Sequence, residues 1–125
     1  MSESVFIKMK KVKYLDQNGE ETSSIVKRVV IFKILKQLSD LLKKEEAAVI
    51  FELLNGKEFT VEELVKAVVK LLPDFPNLLD LYIDNFDIED VLDSDGLYDL
   101  VMAVYVVNFV PNIDSIKKKF GAFKK

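Results

Sequence analysis

Leu97-Tyr98-Asp99-Leu100-Val101-Met102-Ala103-Val104-Tyr105-Val106-Val107-Asn108-Phe109 is the most apolar stretch of the chain. From Leu100 to Val107 eight consecutive apolar residues cover every face of a helix. Such a helix cannot lie on a surface with one side in water, so it belongs in the middle of a bundle, packed on several sides. Gly96 opens it and Val110-Pro111 closes it, because proline lacks an amide donor and disfavours helix in the residue before it. Eight residues fall far short of the roughly 20 needed to cross a membrane, so no membrane span is expected.

Upstream of this helix the 3.6-residue period recurs in shorter segments. Ile31, Ile34, Leu35, Leu38, Leu41 and Leu42 form one stripe, with Lys33, Lys36 and Lys43 outside it. A second helix is expected over residues 45–54, ending at Asn55-Gly56. Thr60-Val61-Glu62-Glu63 has the form of a capping box, in which the hydroxyl accepts from the third amide and Glu63 reaches back. Leu64, Val65, Val68, Leu71 and Leu72 carry the stripe on to Pro73. Beyond Pro76, Leu78, Leu79, Tyr82, Ile83 and Phe86 repeat at helical spacing, and a short turn holds Ile88, Val91 and Leu92. Downstream, Ile113, Ile116 and Phe120 predict a last short helix before Gly121.

The N-terminal segment reads differently. Val5, Ile7 and Met9 alternate, then Val12 and Tyr14 fall on the other phase, which predicts a strand bulged near Lys10-Lys11. Asp16-Gln17-Asn18-Gly19 is a turn signal, and residues 25–30 are β-branched enough to return as a second strand. The expected fold is therefore mainly α. A β-hairpin over residues 1–30 precedes a compact bundle of five or six short helices over residues 31–120. A basic tail follows at 121–125, and all 125 residues form one domain.

Composition narrows the function. Cysteine and histidine are absent, which removes thiolate chemistry, the commonest general base and the commonest metal ligands. A protein without catalysis or cofactor is expected. Hydrophobic residues make up 50% of the chain, high for a small domain, and fit either a rich core or an apolar surface awaiting a partner. The first ten residues lack a signal-peptide core, so a cytoplasmic location is expected.

Charge is segregated. Residues 1–70 carry 13 basic and 11 acidic side chains, residues 71–116 carry ten acidic and no basic ones, and residues 117–125 carry five lysines and no acid. An acidic face repels wrong partners and steers a basic one. Asp84, Asp87, Glu89 and Asp90 on that face, with Lys117, Lys118 and Lys119 at its end, are the candidate partner-binding residues. Opposite charge on body and tail also permits head-to-tail contact between copies, which adds a homo-oligomer to the expected partners.

Other chemistries fit poorly. Asp93-Ser94-Asp95-Gly96 resembles part of a calcium loop, but placing Gly96 at the sixth position puts Val91 and Met102 at the first and twelfth, where carboxylates are needed. Lys8, Lys10, Lys11 and Lys13 with Phe6 and Tyr14 imitate a nucleic-acid-binding strand. The pI near 5.1 counts against phosphate-backbone binding, so no nucleic-acid partner is expected.

A hairpin start, a run of short helices, the acidic segment Asp84-Asn85-Phe86-Asp87-Ile88-Glu89-Asp90-Val91-Leu92 and the apolar helix ending at Asn108-Phe109 before a lysine-rich end together resemble the tail assembly chaperones of long-tailed phages and prophages. The resemblance spans most of the chain in layout. It implies a small, mainly helical, non-catalytic protein that binds the tape measure protein in the host cytoplasm, keeps it soluble and helps recruit the tail tube protein. It implies absence from the finished virion, and a second, longer product made by ribosomal frameshifting near the lysine codons at 117–119 and 124–125. The alternatives are an acidic nucleic-acid mimic acting as an inhibitor, motivated by the acidic segment, and a structural adaptor of a phage particle.

Overall fold

The turn at Asp16 organises the N-terminal hairpin. The Asp16 carboxylate accepts from the amides of Asn18 (2.9 Å) and Glu20 (3.0 Å), while the Gly19 amide donates to the Asp16 carbonyl (2.8 Å). Gly19 takes φ 79°, a conformation that glycine adopts without a steric penalty. In the computed structural model, which describes residues 8–55 and 60–120, strand β1 (Met9–Leu15) pairs antiparallel with β2 (Glu21–Lys27). Features expected at Val5, Ile7, Gly56 and the tail at 121–125 lie outside those residues.

The register is constant, from Met9 opposite Lys27 to Leu15 opposite Glu21, so the bulge expected near Lys10-Lys11 is absent. That expectation put Met9 on the inward face; it points outward and is 60% exposed, while Val12 and Tyr14 are buried. The second strand also begins at Glu21 rather than residue 25, because a tight turn lets pairing resume at once.

Among the described residues four helical rods follow, rather than five or six. They are α1 (Ile31–Leu42), α2 (Ala48–Asn55) behind a single 3-10 turn, α3 (Val61–Leu71), and a long rod built from α4 (Ser94–Val104) and α5 (Ile113–Phe120). The capping box at α3 forms: the Glu63 amide donates to Thr60 Oγ1 (3.1 Å) and the Thr60 amide to Glu63 Oε1 (2.9 Å). α4 and α5 run on through a π turn (Tyr105–Phe109) and a 3-10 turn (Val110–Asn112). Pro111 sits at the start of that 3-10 turn, where its missing donor costs little, so it does not end the rod.

The segment 78–92, expected to be helical, instead contains only two 3-10 turns, Leu78–Leu81 and Ile88–Asp90. Its backbone is committed elsewhere. The Lys27 amide donates to the Tyr82 carbonyl (2.9 Å) and the Leu92 amide to the Leu15 carbonyl (3.0 Å), so the segment clips both ends of the hairpin. A helix would have consumed those groups internally.

α4 packs on β1 and on α3, and α2 packs on α3 and α5. Leu100, Val101, Ala103, Val104 and Val107 are buried together with Val12, Val26, Ile34, Val65 and Ile116. The continuous rod Ser94–Lys119 is long and apolar enough to cross a membrane by length and composition, a length the sequence hid behind Pro111. In this fold it is the central element, with the hairpin and α3 occupying its apolar faces.

Asp93 caps α4, its carboxylate accepting from the Gly96 amide (3.1 Å); the helix thus starts at Ser94, ahead of Gly96. A Cβ at Gly96 would come within 2.9 Å of Val91 Cγ1 and 3.1 Å of Tyr14 Cβ. Gly96→Ala is therefore expected to destabilise by about 1 kcal/mol, overpacking outweighing the better helix propensity of alanine. Urea unfolding should show a lower midpoint with an unchanged slope.

Candidate binding site

The stripes of α1 and α3 do not close completely against the long rod. Leu38 and Leu41 of α1, Ile50 of α2, and Leu64, Val65 and Val68 of α3 face Val104, Tyr105 and Phe109 across a partly open cleft of about 70 Å³. This is room for one apolar side chain, well below the size of a small-molecule site. Val68, Leu41, Tyr105 and Phe109 are only partly buried, so the mouth itself is apolar.

Two polar side chains reach the cleft from its floor, and they satisfy each other. The Tyr82 hydroxyl donates to Gln37 Oε1 (2.8 Å), and Gln37 Nε2 donates to the Leu78 carbonyl (3.1 Å). Burial pushes the Tyr82 hydroxyl pKa well up from its ordinary value of 10.0, and burial raises that of Tyr105 as well. Phe109 lies between these rings, 6.3 Å from Tyr105 in a near-parallel arrangement and 6.2 Å from Tyr82 at a tilt. The site can hold an apolar group between aromatic and aliphatic walls; it offers no activated nucleophile.

A raised tyrosine pKa means that the fold holds the proton more tightly than the unfolded chain does. Its stability is therefore intact below pH 10 and falls as the pH rises beyond it. In Tyr82→Phe part of this alkaline loss should disappear, along with about 1 kcal/mol at neutral pH from the broken bond to Gln37. Urea unfolding of both proteins at pH 8 and above 10 checks it; equal slopes with pH would exclude Tyr82 as the source.

The residues expected to bind partners do not converge on this cleft. Asp84 pairs with Lys27 Nζ across the hairpin edge. Asp87 caps the 3-10 turn by accepting from the Glu89 amide (3.0 Å), and Asp90 Oδ1 lies at the limit of a bond from the Gln17 amide (3.5 Å). Glu89 is exposed. Lys117, Lys118 and Lys119 are exposed in the last turn of α5, which packs on α2, whereas the acids flank the hairpin. The calcium-like loop is occupied as a helix cap, and among the described residues no group of three or more acidic side chains could hold a metal.

No protein-family model, curated protein or solved structure matches this chain. What it can do is therefore read from its own surfaces.

Two polar residues escaped the sequence reading: Gln37, which lines the cleft, and Asn108, which lies outside it and ties the long rod to the hairpin. Gln37 sits inside the α1 pattern with only its amide to distinguish it. Asn108 interrupts the most apolar helix and is the one fully buried polar side chain among the described residues. Its Oδ1 accepts from the Val29 amide (2.7 Å), its Nδ2 donates to the Lys27 carbonyl (3.0 Å), and its own carbonyl accepts from Asn112 Nδ2 (2.8 Å). A lone amide in an apolar run was the available signal.

Proposed function

We propose that this protein is a non-catalytic binding factor whose cleft takes one apolar side chain from an amphipathic helix of a partner. The cleft carries this reading: its walls are largely apolar, its mouth is partly open, and Gln37 and Tyr82 on its lining already bond each other. Helix-in-groove recognition uses such a site for an anchor residue, and the surrounding helices supply the flanking contacts. Together with the resemblance in sequence layout to phage tail assembly chaperones, this makes the tape measure protein the proposed partner. It would be held soluble in the host cytoplasm during assembly, with the tail tube protein recruited afterwards and the chaperone absent from the virion. A long helical protein offers many such anchors and aggregates when they are bare.

The acidic-mimic alternative is weaker. Residues 1–70 and 117–125 carry net basic charge, whereas a nucleic-acid mimic spreads its carboxylates over the whole surface. A structural adaptor of the particle would differ by persisting in purified virions.

Co-expression with the tape measure protein tests the proposal. That protein should move from the insoluble to the soluble fraction, and Val68→Lys, a change at the partly exposed rim, should abolish the shift while leaving the melting temperature nearly unchanged. An equally insoluble tape measure with and without this protein would overturn the reading. The proposed longer product is checked separately on the nucleotide sequence, where a slippery heptamer near the codons for 117–119 or 124–125 and an overlapping frame are required.

A further inference from the structure

The hairpin is a two-stranded sheet, so each strand has an outer edge, and the two edges differ. The Arg28 amide donates to the Lys8 carbonyl (2.8 Å), so by the alternation of an antiparallel ladder the backbone groups of Lys10, Val12 and Tyr14 also face β2. Those of Met9, Lys11 and Lys13 face away. Among the described residues neither Lys11 nor Lys13 has a backbone partner on that side.

The chain itself begins to cover this edge and then leaves it. Val91 bridges Asp16 in antiparallel sense and the Leu92 amide donates to the Leu15 carbonyl (3.0 Å), after which Asp93 caps α4 and the backbone turns away. The strand that starts at Val91 is thus missing over Lys13, Lys11 and Met9. Lys8, Lys10, Lys11 and Lys13 are all exposed along the vacant stretch. Among the described residues the segment seated on this edge is Val91-Leu92, opposite Asp16 and Leu15, and it stops short of the lysines.

We propose that the outer edge of β1 accepts an acidic, extended segment of a partner polypeptide as an added strand. Lys11 and Lys13 supply the ladder donors and acceptors, and the four lysines supply the charge selection. Self-pairing of two β1 edges would set lysine against lysine, which disfavours a second copy of this strand as the occupant. Nucleic acid is disfavoured by the aromatic residue: Tyr14 is buried, with its hydroxyl 2.7 Å from Ser24 Oγ, so it offers no face for a base. None of these residues lines the apolar cleft, and the inference stands apart from the function proposed for it.

The test uses the full chain and a labelled, alternating glutamate–valine peptide of roughly eight residues, the length of an ordinary strand. Binding should weaken with added salt, and the Lys11 and Lys13 amides should gain protection from hydrogen exchange. The double variant Lys11→Glu/Lys13→Glu, which changes only exposed side chains, should lose roughly tenfold or more in affinity. A lysine–valine peptide should recover binding to that variant. The same acidic peptide with prolines replacing alternate residues lacks ladder donors and should bind poorly. Equal binding of the proline peptide, absence of protection at Lys11 and Lys13, tighter binding of an oligonucleotide of the same charge, or no binding at all would each overturn the proposal.

Discussion

Replacing Asn108 with leucine is expected to lower the unfolding free energy by about 2–5 kcal/mol. The leucine fills much the same volume but leaves the buried Val29 amide and the partly buried Lys27 carbonyl without partners, and an orphaned buried group costs about 1–3 kcal/mol. The loss should be local as well as global. Val29 is where the hairpin leaves β2 to enter α1, so its amide should lose hydrogen-exchange protection before the α3 amides do. Urea unfolding followed by circular dichroism gives the magnitude, and amide exchange gives the location. A variant with an unchanged midpoint would show that this amide does not hold the hairpin to the long rod. The π turn at Tyr105–Phe109 belongs to the same arrangement, since the widened turn is where Asn108 faces the hairpin.

Leu100→Asp should have the largest effect of any single change. Leu100 has no exposed surface and lies on α4, which packs on both the hairpin and α3. A carboxylate buried there without a partner costs several kcal/mol, against a total stability of about 5–15 kcal/mol for an ordinary domain. The expected product is an unfolded or molten chain without a cooperative melt. Leu100→Ala, which removes volume without adding charge, should remain folded and lose about 2–5 kcal/mol. If the aspartate variant melted close to the wild type, α4 would not be the centre of the core. Leu100 does not line the cleft, so this pair of variants tests the fold without touching the proposed site.

Several elements were legible because their signal is local. The capping box at Thr60 and Glu63, the stripe of α1 and the Asn-Gly turn depend on residues within four positions of one another, and each formed as the spacing dictates. The segment 78–92 was not legible. Its apolar residues repeat at helical spacing, yet its backbone bonds to Leu15 and Lys27, more than fifty residues away in the chain. Spacing reports which side chains are buried together; it does not report where an amide finds its acceptor. The bulge failed for a related reason, since the inward phase of β1 was fixed by α4 lying beneath Val12 and Tyr14, not by Met9. Pro111 likewise terminates an isolated helix, but the π turn before it shifts the backbone so that the rod continues.

Of the candidate surfaces, the charge segregation could be counted from the chain alone, and the exposed lysines of β1 with it. The cleft could not, because it is the volume left when three stripes of slightly different width meet and do not close.

Sequence by itself determined that the chain is mainly helical behind a hairpin, that the segment around Leu100–Val107 belongs in the core, and that neither thiol nor imidazole chemistry is available. These follow from composition and from period, which act over one or two turns. Tertiary structure alone decided that four rods form among the described residues, that residues 78–92 clip the hairpin through two 3-10 turns and the loops beside them, and that Asn108 is the buried splint between β2 and the long rod. It also decided that, among the described residues, Lys11 and Lys13 have no backbone partner on the outer edge of β1. Each of these depends on which distant backbone group meets which, and that is fixed only when the whole core closes and every buried donor must find an acceptor.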